Sequence, residues 1–295
     1  MPSISSAPFT QTFRTAASIP QDMRKVMENH PITMNVIEPQ FLQSLKQERL
    51  GQFWIALRSP EDAQKIEFIL SCTETSMGKY PIFITTTLLL SALTTQFLFS
   101  RVPLLVNALL EAESSSRVYS VFAPRVISDV FSRLWLETTH IQPIPEPYYD
   151  SILSYCTPQT FNNIESPLRG YHFSLELGTP ADIPSIASLC YAFAEDSVSP
   201  GFFIDEIPTL ILSLQAPFTL SIERAFQEAS SLVQAKQVWV HRLKPLDGSA
   251  AEDIASIVAV TRNSKRNATI TKVFTNPDWR GKGCAKRLVR HVCKQ

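Results

Sequence analysis

Apolar residues follow two different periods along the first half of the chain. Short runs rich in β-branched residues predict strands, and apolar spacings of three and four residues predict helices between them. The predicted strands are "GQFWIALRS", "KIEFILSCT", "YPIFITTT" and "SRVYSVFAP". A helical region continues from the third strand to about Glu113, with an interruption expected at Pro103, and "PRVISDVFSRLWLETTH" predicts a further helix beginning at Pro124.

The second half has a more regular order of predicted elements. "YHFSLELGTP" predicts a strand, and two helices follow in "PADIPSIASLCYAFAED" and "SIERAFQEASSLVQAKQ", the latter capped by Ser221. Three strands come next, in "VWVHRL", "ASIVAVTR" and "ATITKVFT". The last helix has a half-buried stripe formed by Ala285, Leu288, Val289, Val292 and Cys293. This order predicts an α/β fold in which an antiparallel meander leads into one crossover helix.

A proline-rich stretch, 142–166, separates the two halves and predicts a connection between domains. We expect an N-terminal α/β domain over residues 21–141 and a second domain over residues 167–295. The Ser-, Thr- and Pro-rich start has no apolar core of a secretory signal, so a disordered tail is expected over residues 1–20.

Composition limits the classes of function. Lys+Arg and Asp+Glu are equal at 27 each, so no overall charge favours nucleic acid. The five cysteines are odd in number and lack a CxxC pair, which argues against a disulfide framework or a zinc site and favours a reducing, cytoplasmic location. The stretch between Lys79 and Arg101 is uncharged and long enough to span a membrane, but its threonines favour a strand followed by a helix. A membrane-associated protein is the alternative.

The chain closes on "TNPDWRGKGCAKRLVRHVCKQ", a glycine-containing loop between a predicted strand and a predicted helix. Gly281 and Gly283 permit positive φ and a close approach of the backbone to a ligand. Successive N–H groups in such a turn, together with the helix N-terminus, form an anion site. The sequence therefore predicts a phosphate or diphosphate ligand here.

Two common phosphate motifs do not fit this loop. A P-loop needs Ser or Thr directly after its lysine, whereas Lys282 is followed by Gly283. A dinucleotide fingerprint beginning at Gly281 would need its third glycine where Lys286 stands.

The pattern that remains is R-x-x-G-x-[GA], filled by Arg280, Gly283 and Ala285. It resembles the acyl-CoA-binding motif of the GNAT superfamily of N-acetyltransferases, and the resemblance extends over residues 167–295. It implies that backbone N–H groups from Arg280 to Ala285, including those of Gly281, Lys282, Gly283 and Cys284, hold the CoA pyrophosphate. It also implies that the backbone of Val273, Phe274 and Thr275 binds the pantetheine arm, with Lys282 and Arg287 near the phosphates.

The resemblance implies an acyl-CoA-dependent N-acyltransferase, which moves acetyl from acetyl-CoA to an amine by direct attack, without a metal. The family's fifth strand and a later helix that often supplies a tyrosine acid would follow Gln295. We therefore expect a shortened domain, whose open sheet edge a second copy of the chain could complete. A catalytically inactive module that binds CoA or a partner is the alternative function. The first half is open to interpretation as a diverged copy of the same fold.

Candidates for the general base are Glu195 and Asp196, at the end of the first predicted helix of the second domain, and His241 in a predicted strand. A solvated acidic pair and a structural histidine are the ordinary alternatives. Cys284, although at a helix N-terminus, is expected to be a packing residue.

Overall fold

The computed structural model describes residues 7–75, 78–144, 150–163, 168–197 and 220–295. These residues form a mixed α/β structure with seven α-helices and two main sheets. Contacts divide the chain into two compact units, Met1–Glu146 with Arg262–Asn267, and Pro147–Thr261 with Ala268–Gln295. The principal boundary falls inside the predicted connection, whose described residues form neither helix nor strand.

Seven strands form among the described residues of the first unit, β1 (Phe9–Phe13), β2 (Phe53–Arg58), β3 (Ile66–Cys72), β4 (Glu74–Thr75), β5 (Gly78–Lys79), β6 (Ile82–Thr86) and β7 (Val121–Phe122). Five of them form one sheet in the order β1-β2-β3-β6-β7, and β4 and β5 pair separately. Neighbours in the sheet are antiparallel except β6 and β7, which are parallel. Of the predicted strand "SRVYSVFAP", only β7 forms.

Four helices in the described ranges cover the two faces of this sheet, α1 (Gln21–Asn29), α2 (Ile37–Lys46), α3 (Thr95–Ala112) and α4 (Arg125–Thr139). On one face Met23 of α1 and Phe41 of α2 share a buried cluster with Trp54. On the other face Leu105 of α3 and Phe131 of α4 share a second cluster with strand residues such as Phe53. Because both faces are covered, β2 and β3 are buried along their whole length, which accounts for their uninterrupted apolar runs.

The expectation of a disordered tail over residues 1–20 is wrong for the part that is described. Phe9–Phe13 forms β1 and pairs with β2, where the Arg58 guanidinium donates to the Gln11 side chain at 2.6 Å. Ala16 and Ile19 are buried. β1 pairs with the edge of β2 that would otherwise be open. Its alternation of apolar and polar residues is short and lies in a Ser- and Thr-rich stretch, so the sequence pattern did not predict it. Residues 1–6 lie outside the described residues.

The uncharged stretch between Lys79 and Arg101 forms β6 and the opening turns of α3, as the predicted strand and helix require. The expected interruption at Pro103 is wrong, because α3 continues through it. Val102, Leu105 and Val106 around the proline are buried, and this packing offsets the lost backbone hydrogen bond. Among the described residues, no helix has the length and apolar character needed to cross a membrane.

The described residues of the second unit form four strands, β8 (Tyr171–Leu177), β9 (Val238–Pro245), β10 (Asp253–Asn263) and β11 (Ala268–Thr275). Their order is β11-β10-β9-β8, so β11 lies at an edge of this sheet. β9 is antiparallel to both β8 and β10. A turn in which the Ser264 N–H donates to the Asn267 carbonyl at 2.8 Å joins β10 to β11. The predicted meander is confirmed.

Within the part of this unit that the structure describes, three helices cover the sheet, α5 (Ile183–Ser197), α6 (Ile222–Gln234) and α7 (Cys284–Lys294). α5 and α6 lie on one face, where Cys190 and Leu232 pack with Val240. α7 lies on the other face, where Leu288 packs with Val258. The Ser221 hydroxyl caps α6 by accepting the Arg224 N–H at 3.3 Å, as predicted.

The two units share one order of elements among their described residues. Each runs through a strand, two helices, three sequential strands of one meander and a helix, and the four strands lie in the same spatial order. The first unit then continues into β7 and α4, and it carries the β4–β5 hairpin as an addition. The loop before the last shared helix is therefore residues 87–94 in the first unit and residues 276–283 in the second.

Candidate functional site: the loop between β11 and α7

The loop from Asn276 to Gly283 leaves β11 through a capped turn. The Asn276 side chain accepts the Asp278 N–H at 3.2 Å, and a 3₁₀ turn spans Pro277–Trp279. Gly281 has φ +79° and Gly283 has φ +71°, so both adopt the left-handed conformation that the sequence predicted. A Cβ on Gly281 would meet no atom of the protein within 4 Å, so its face of the loop is open.

Six consecutive backbone amides, at the end of this loop and in the first turn of α7, make no hydrogen bond with described residues. The Arg280 N–H donates to the Pro277 carbonyl at 3.1 Å, and the Arg287 N–H donates to the Gly283 carbonyl at 3.1 Å. Between them, the N–H groups of residues 281–286 make no hydrogen bond within the described part of the chain. The expectation that the Arg280 amide also contributes is wrong, because the 3₁₀ turn already engages it.

The basic side chains brace the loop through its carbonyl oxygens. Lys282 Nζ donates to the Asp278 carbonyl at 3.0 Å, and Arg287 Nη1 donates to the Lys282 carbonyl at 3.0 Å. In a trans peptide the C=O and N–H groups point in opposite directions. The Gly283 N–H, which belongs to the same peptide as the Lys282 carbonyl, therefore points away from Arg287.

Arg280 connects the loop to α5. Its Nε donates to the Thr275 carbonyl at 3.3 Å, and its Nη2 forms an ion pair with Asp196 at 2.7 Å. The guanidinium also lies over the Phe274 ring, 5.3 Å from the centroid. The structure thus brings the predicted Asp196 to the predicted loop, but as a partner of Arg280.

The last residues of β11 divide between the two faces of the sheet. Phe274 is buried against the Phe193 ring of α5, with the centroids 6.4 Å apart, whereas Val273 packs on the α7 side. Their backbone runs along an edge of the four-stranded sheet. An extended ligand could add to this edge in strand fashion, although the Thr275 carbonyl is already engaged by Arg280.

Glu195 and Asp196 lie together in the last turn of α5 but differ in their surroundings. The Glu195 carboxylate beside the Tyr191 hydroxyl raises the pKa of that tyrosine. Asp196 is held by Arg280, and both side chains of this pair are more than half exposed at 58% and 52%. Glu195 is therefore the carboxylate at this helix end that is not paired with the loop arginine.

His241 does not lie at an accessible site. It is fully buried in β9, and neither ring nitrogen has a hydrogen-bond partner among the described residues. Burial, assisted by the positive charge of Arg287, lowers the pKa of His241 to about 4, while the nearby backbone of Cys284 opposes this shift. A neutral, enclosed imidazole cannot reach a substrate, so the expectation of a base at His241 is wrong.

Cys284 is a packing residue, as expected. Its side chain is buried with Leu243 and Ala255, and the thiol donates to the Trp279 carbonyl at 3.7 Å. Burial raises the pKa of the Cys284 thiol despite the positive charges of Arg287 and Lys282. The thiolate that a helix N-terminus favours is therefore not formed here.

Sequence reasoning missed two groups around the loop. Trp279 Nε1 donates to Asp253 at 2.7 Å, which ties the loop to the start of β10. Lys272 is nearly buried on the α5–α6 face and donates to both oxygens of Glu228, at 2.9 and 2.8 Å. Side chains alternate along β11, so Lys272 lies on the same face as Phe274. The sequence could therefore have predicted that Lys272 points inward and needs a carboxylate partner.

Comparison with known proteins assigns nothing further, because no protein-family model matches the chain and no curated protein matches its sequence significantly.

Proposed function

We propose that the second unit binds the diphosphate of acetyl-CoA at the loop between β11 and α7. The observation that carries this proposal is the run of unused amides at residues 281–286, next to an open glycine face and at a helix N-terminus. Such a run is a favourable environment for a multiply charged anion. The neutral overall charge of the chain makes this local arrangement the source of the attraction.

We further propose that the chain is an acyl-CoA-dependent N-acyltransferase of the GNAT type. The strand–helix–helix–meander–helix order of the second unit and the edge position of β11 support it. The first unit repeats that order and adds a parallel strand, which supports its interpretation as a diverged copy of the same fold.

In the proposed reaction an amine nitrogen attacks the thioester carbonyl carbon. A C–N bond forms, the C–S bond breaks, and the CoA thiolate leaves. Backbone N–H groups near the end of β11 would stabilise the negative charge on the carbonyl oxygen. Of the three predicted bases, Glu195 is the one that suits the role of accepting a proton from the ammonium group, since Asp196 is paired with Arg280 and His241 is buried.

An inactive CoA-binding module is the second candidate function. It is favoured by the commitment of Asp196 to Arg280 and by the burial of His241, which together leave one of the three predicted bases in place. Release of free thiol from acetyl-CoA in the presence of a mixture of amines distinguishes the two. If acetyl-CoA binds but no amine-dependent release of thiol is detected, the chain is an inactive CoA-binding module and the proposal of an enzyme is rejected.

The donor site is tested by adding one methyl group to its open face. Gly281→Ala meets no protein atom but has to adopt φ +79°, which costs about 1 kcal/mol of stability. The new methyl group occupies the space proposed for a phosphate, so we expect affinity for acetyl-CoA in isothermal titration to fall by about tenfold or more, equivalent to about 1.4 kcal/mol.

Gly248→Ala is the matched control. Gly248 lies in the turn between β9 and β10 and has φ +69°, and a methyl group added there would also meet no atom within 4 Å. It should lose similar stability in thermal unfolding and keep full affinity. Equal affinity of both variants, or no binding by the unsubstituted chain, would overturn the donor site.

A further inference from the structure

β8 has an edge that the proposed function does not use. The strand lies at the end of the four-stranded sheet opposite β11, and among the described residues it pairs with β9 alone. Its seven residues, Tyr171–Leu177, include neither proline nor lysine, and its register against β9 has no bulge. Proteins commonly protect an exposed edge with a proline, a lysine or a bulge. β8 is therefore a regular strand whose outer side is suited to pairing.

The direction of the β8 backbone groups follows from two hydrogen bonds at the ends of the strand pair. The Gly178 N–H donates to the Val238 carbonyl at 2.9 Å, and the Leu246 N–H donates to the Gly170 carbonyl at 3.0 Å. In an antiparallel pair, residues that bond to the neighbouring strand alternate with residues whose N–H and C=O groups point away from it. The even-numbered residues of β8 therefore bond to β9. The outward N–H and C=O groups make no hydrogen bond with described residues, and they belong to Tyr171, Phe173, Leu175 and Leu177.

The apolar residues of β8 complement a second copy of the same strand. When two copies run antiparallel with Ser174 at the centre, Phe173 of each copy lies opposite Leu175 of the other. In the same register Tyr171 lies opposite Leu177, and all seven residues of each strand are paired. The residues with outward backbone groups then meet one another, as an antiparallel ladder requires. The Phe173 side chain is 48% exposed, and the second copy would remove part of its ring from water.

Charge is complementary in this register as well. His172 of each copy lies opposite Glu176 of the other, on the face where the neighbouring Val240 packs against α5 and α6. The Glu176 side chain is 49% exposed. Its Oε1 accepts the Ser174 hydroxyl at 3.1 Å and Arg242 Nε at 2.6 Å, so Oε2 is without a partner among the described residues. An imidazole N–H from the second copy can donate to this oxygen, and opposite charges across strands stabilise the pairing.

We propose that two copies of the chain associate by antiparallel pairing of β8 with β8, which joins their four-stranded sheets into one. The copies are related by a two-fold axis beside Ser174, so the same surface is used on both sides of the contact. The pair of His172 and Glu176 accordingly forms twice. The contact does not depend on the proposed function, because β11 lies at the opposite edge of the sheet.

A cysteine at the centre of the contact tests its register. In the proposed dimer the two Ser174 residues form a non-hydrogen-bonded pair with Cα atoms about 4.5 Å apart, which is within the range of a disulfide. Ser174→Cys should therefore give a covalent dimer under mild oxidation, with twice the mass of the chain, which dithiothreitol separates. The exposed native cysteines, Cys156 and Cys293, are replaced by serine in every chain of this experiment so that they cannot cross-link.

His172→Cys is the matched control for the cross-link. His172 is exposed and lies on the same face of β8 as Ser174, but it faces Glu176 of the second copy instead of its own counterpart. The two copies of residue 172 are separated by about 13 Å along the strands, so no disulfide should form between them. Equal cross-linking at both positions, or none at Ser174→Cys, would overturn the proposed register.

Analytical ultracentrifugation of the unsubstituted, reduced chain measures the association itself, and we expect a dimer. Phe173→Lys places a charge on the edge and should raise the dissociation constant of the dimer by about tenfold or more. Phe173→Pro removes an outward N–H without removing a bond to β9, and it should act in the same direction.

Phe226→Lys is the control for the edge substitutions, because Phe226 is a comparably exposed aromatic residue, at 42%, on α6 of the same unit. It should leave the dimer intact, and circular dichroism checks that each variant folds. A monomeric unsubstituted chain at every concentration tested overturns the proposal. A dimer that withstands both substitutions of Phe173 uses another surface and overturns it equally.

Discussion

At the scale of single residues, His241 shows how a sheet interior sets the charge of a side chain. Its ring packs edge-on against Phe173, with centroids 5.5 Å apart, and pairs across the sheet with Ser256, whose hydroxyl is also buried without a partner among the described residues. Because burial penalises the charged ring and the positive charge of Arg287 adds to this penalty, the imidazole stays neutral in the folded chain. The titration of His241 therefore couples folding to pH.

We predict that His241 makes stability fall as the pH is lowered. Its pKa is 6.5 in the unfolded chain and about 4 in the folded chain, so the unfolded state binds the proton first. The contribution is complete above pH 6.5 and is lost as the pH falls toward 4, by about 3 kcal/mol in total. Urea unfolding at pH 7, 6 and 5 measures it.

His241→Leu should flatten this pH dependence, because it removes the titrating group. His172→Gln, at an exposed position of the neighbouring β8, should retain it. An unchanged pH slope in His241→Leu would contradict the prediction.

Some residue conformations follow from the sequence alone. The left-handed conformations of Gly281 and Gly283 were predictable because they depend on local sterics and a strand-to-helix turn. The burial of His241 was not, because it depends on α7, which covers that face of β9 from a distant part of the chain. The involvement of Arg280 with Asp196 was hidden for the same reason.

At the scale of elements, β11 and α6 are joined by the ion pair of Lys272 and Glu228. The Lys272 side chain is 9% exposed and that of Glu228 is 27% exposed, and Lys272 Nζ also lies 5.0 Å from the Phe193 ring centroid on α5. Three elements therefore meet at one ammonium group. A charge left alone in such a site is costly, whereas removal of both charges is not.

We predict that Lys272→Met destabilises the second unit by about 1–3 kcal/mol, because Glu228 loses its partner in a partly enclosed site. The double substitution Lys272→Met with Glu228→Leu should recover most of that loss. Urea unfolding of the single and double variants measures the coupling.

The exposed pair of Arg133 and Glu137, at 67% and 52% exposure, provides the comparison. Arg133→Met should change stability by less than about 0.5 kcal/mol. If Lys272→Met lowered the free energy of unfolding by as little as Arg133→Met, the Lys272–Glu228 pair would contribute no more than a surface ion pair.

The elements themselves were largely predictable, because the apolar period of each is local. The strands of the meander and the helices α4, α6 and α7 lie where the pattern placed them. β1 was missed because "FTQTF" is short, and its stability comes from pairing with β2 rather than from its own composition. Ser116 and Arg117, the first two residues of a predicted strand, lie in a 3₁₀ turn instead. The Arg117 guanidinium points inward and donates to the Thr73 and Tyr80 carbonyls.

At the scale of the whole molecule, the two units differ at the loop before their last shared helix. In the first unit this loop, 87–94, contains no glycine and exposes Leu89 and Leu90. The Thr94 side chain caps α3 by accepting the Phe97 N–H at 3.2 Å, and the Leu88 N–H is bonded to the Thr86 hydroxyl. The Thr94 side chain and the carbonyls of residues 89 and 90 thus occupy three donors of the first unit, and the equivalent amides at residues 281, 282 and 286 make no hydrogen bond with described residues.

We predict one molecule of acetyl-CoA bound per chain, because the first unit lacks the run of unused amides. Isothermal titration should give a stoichiometry of one, and Gly281→Ala should reduce the whole binding heat rather than half of it. A second equivalent that survives this substitution would place a donor site in the first unit and contradict the prediction.

The bracing of the loop by its own cations has a consequence for the order of events in recognition. Because Lys282 and Arg287 are fastened to carbonyl oxygens of the same loop, its shape is established without a ligand. Under the proposed function, an arriving diphosphate would meet a loop that is already shaped and would lose little affinity to rearrangement of the backbone. The association rate should then be limited by diffusional encounter. Selectivity among anions should depend on how well the shape of each anion complements the preformed loop.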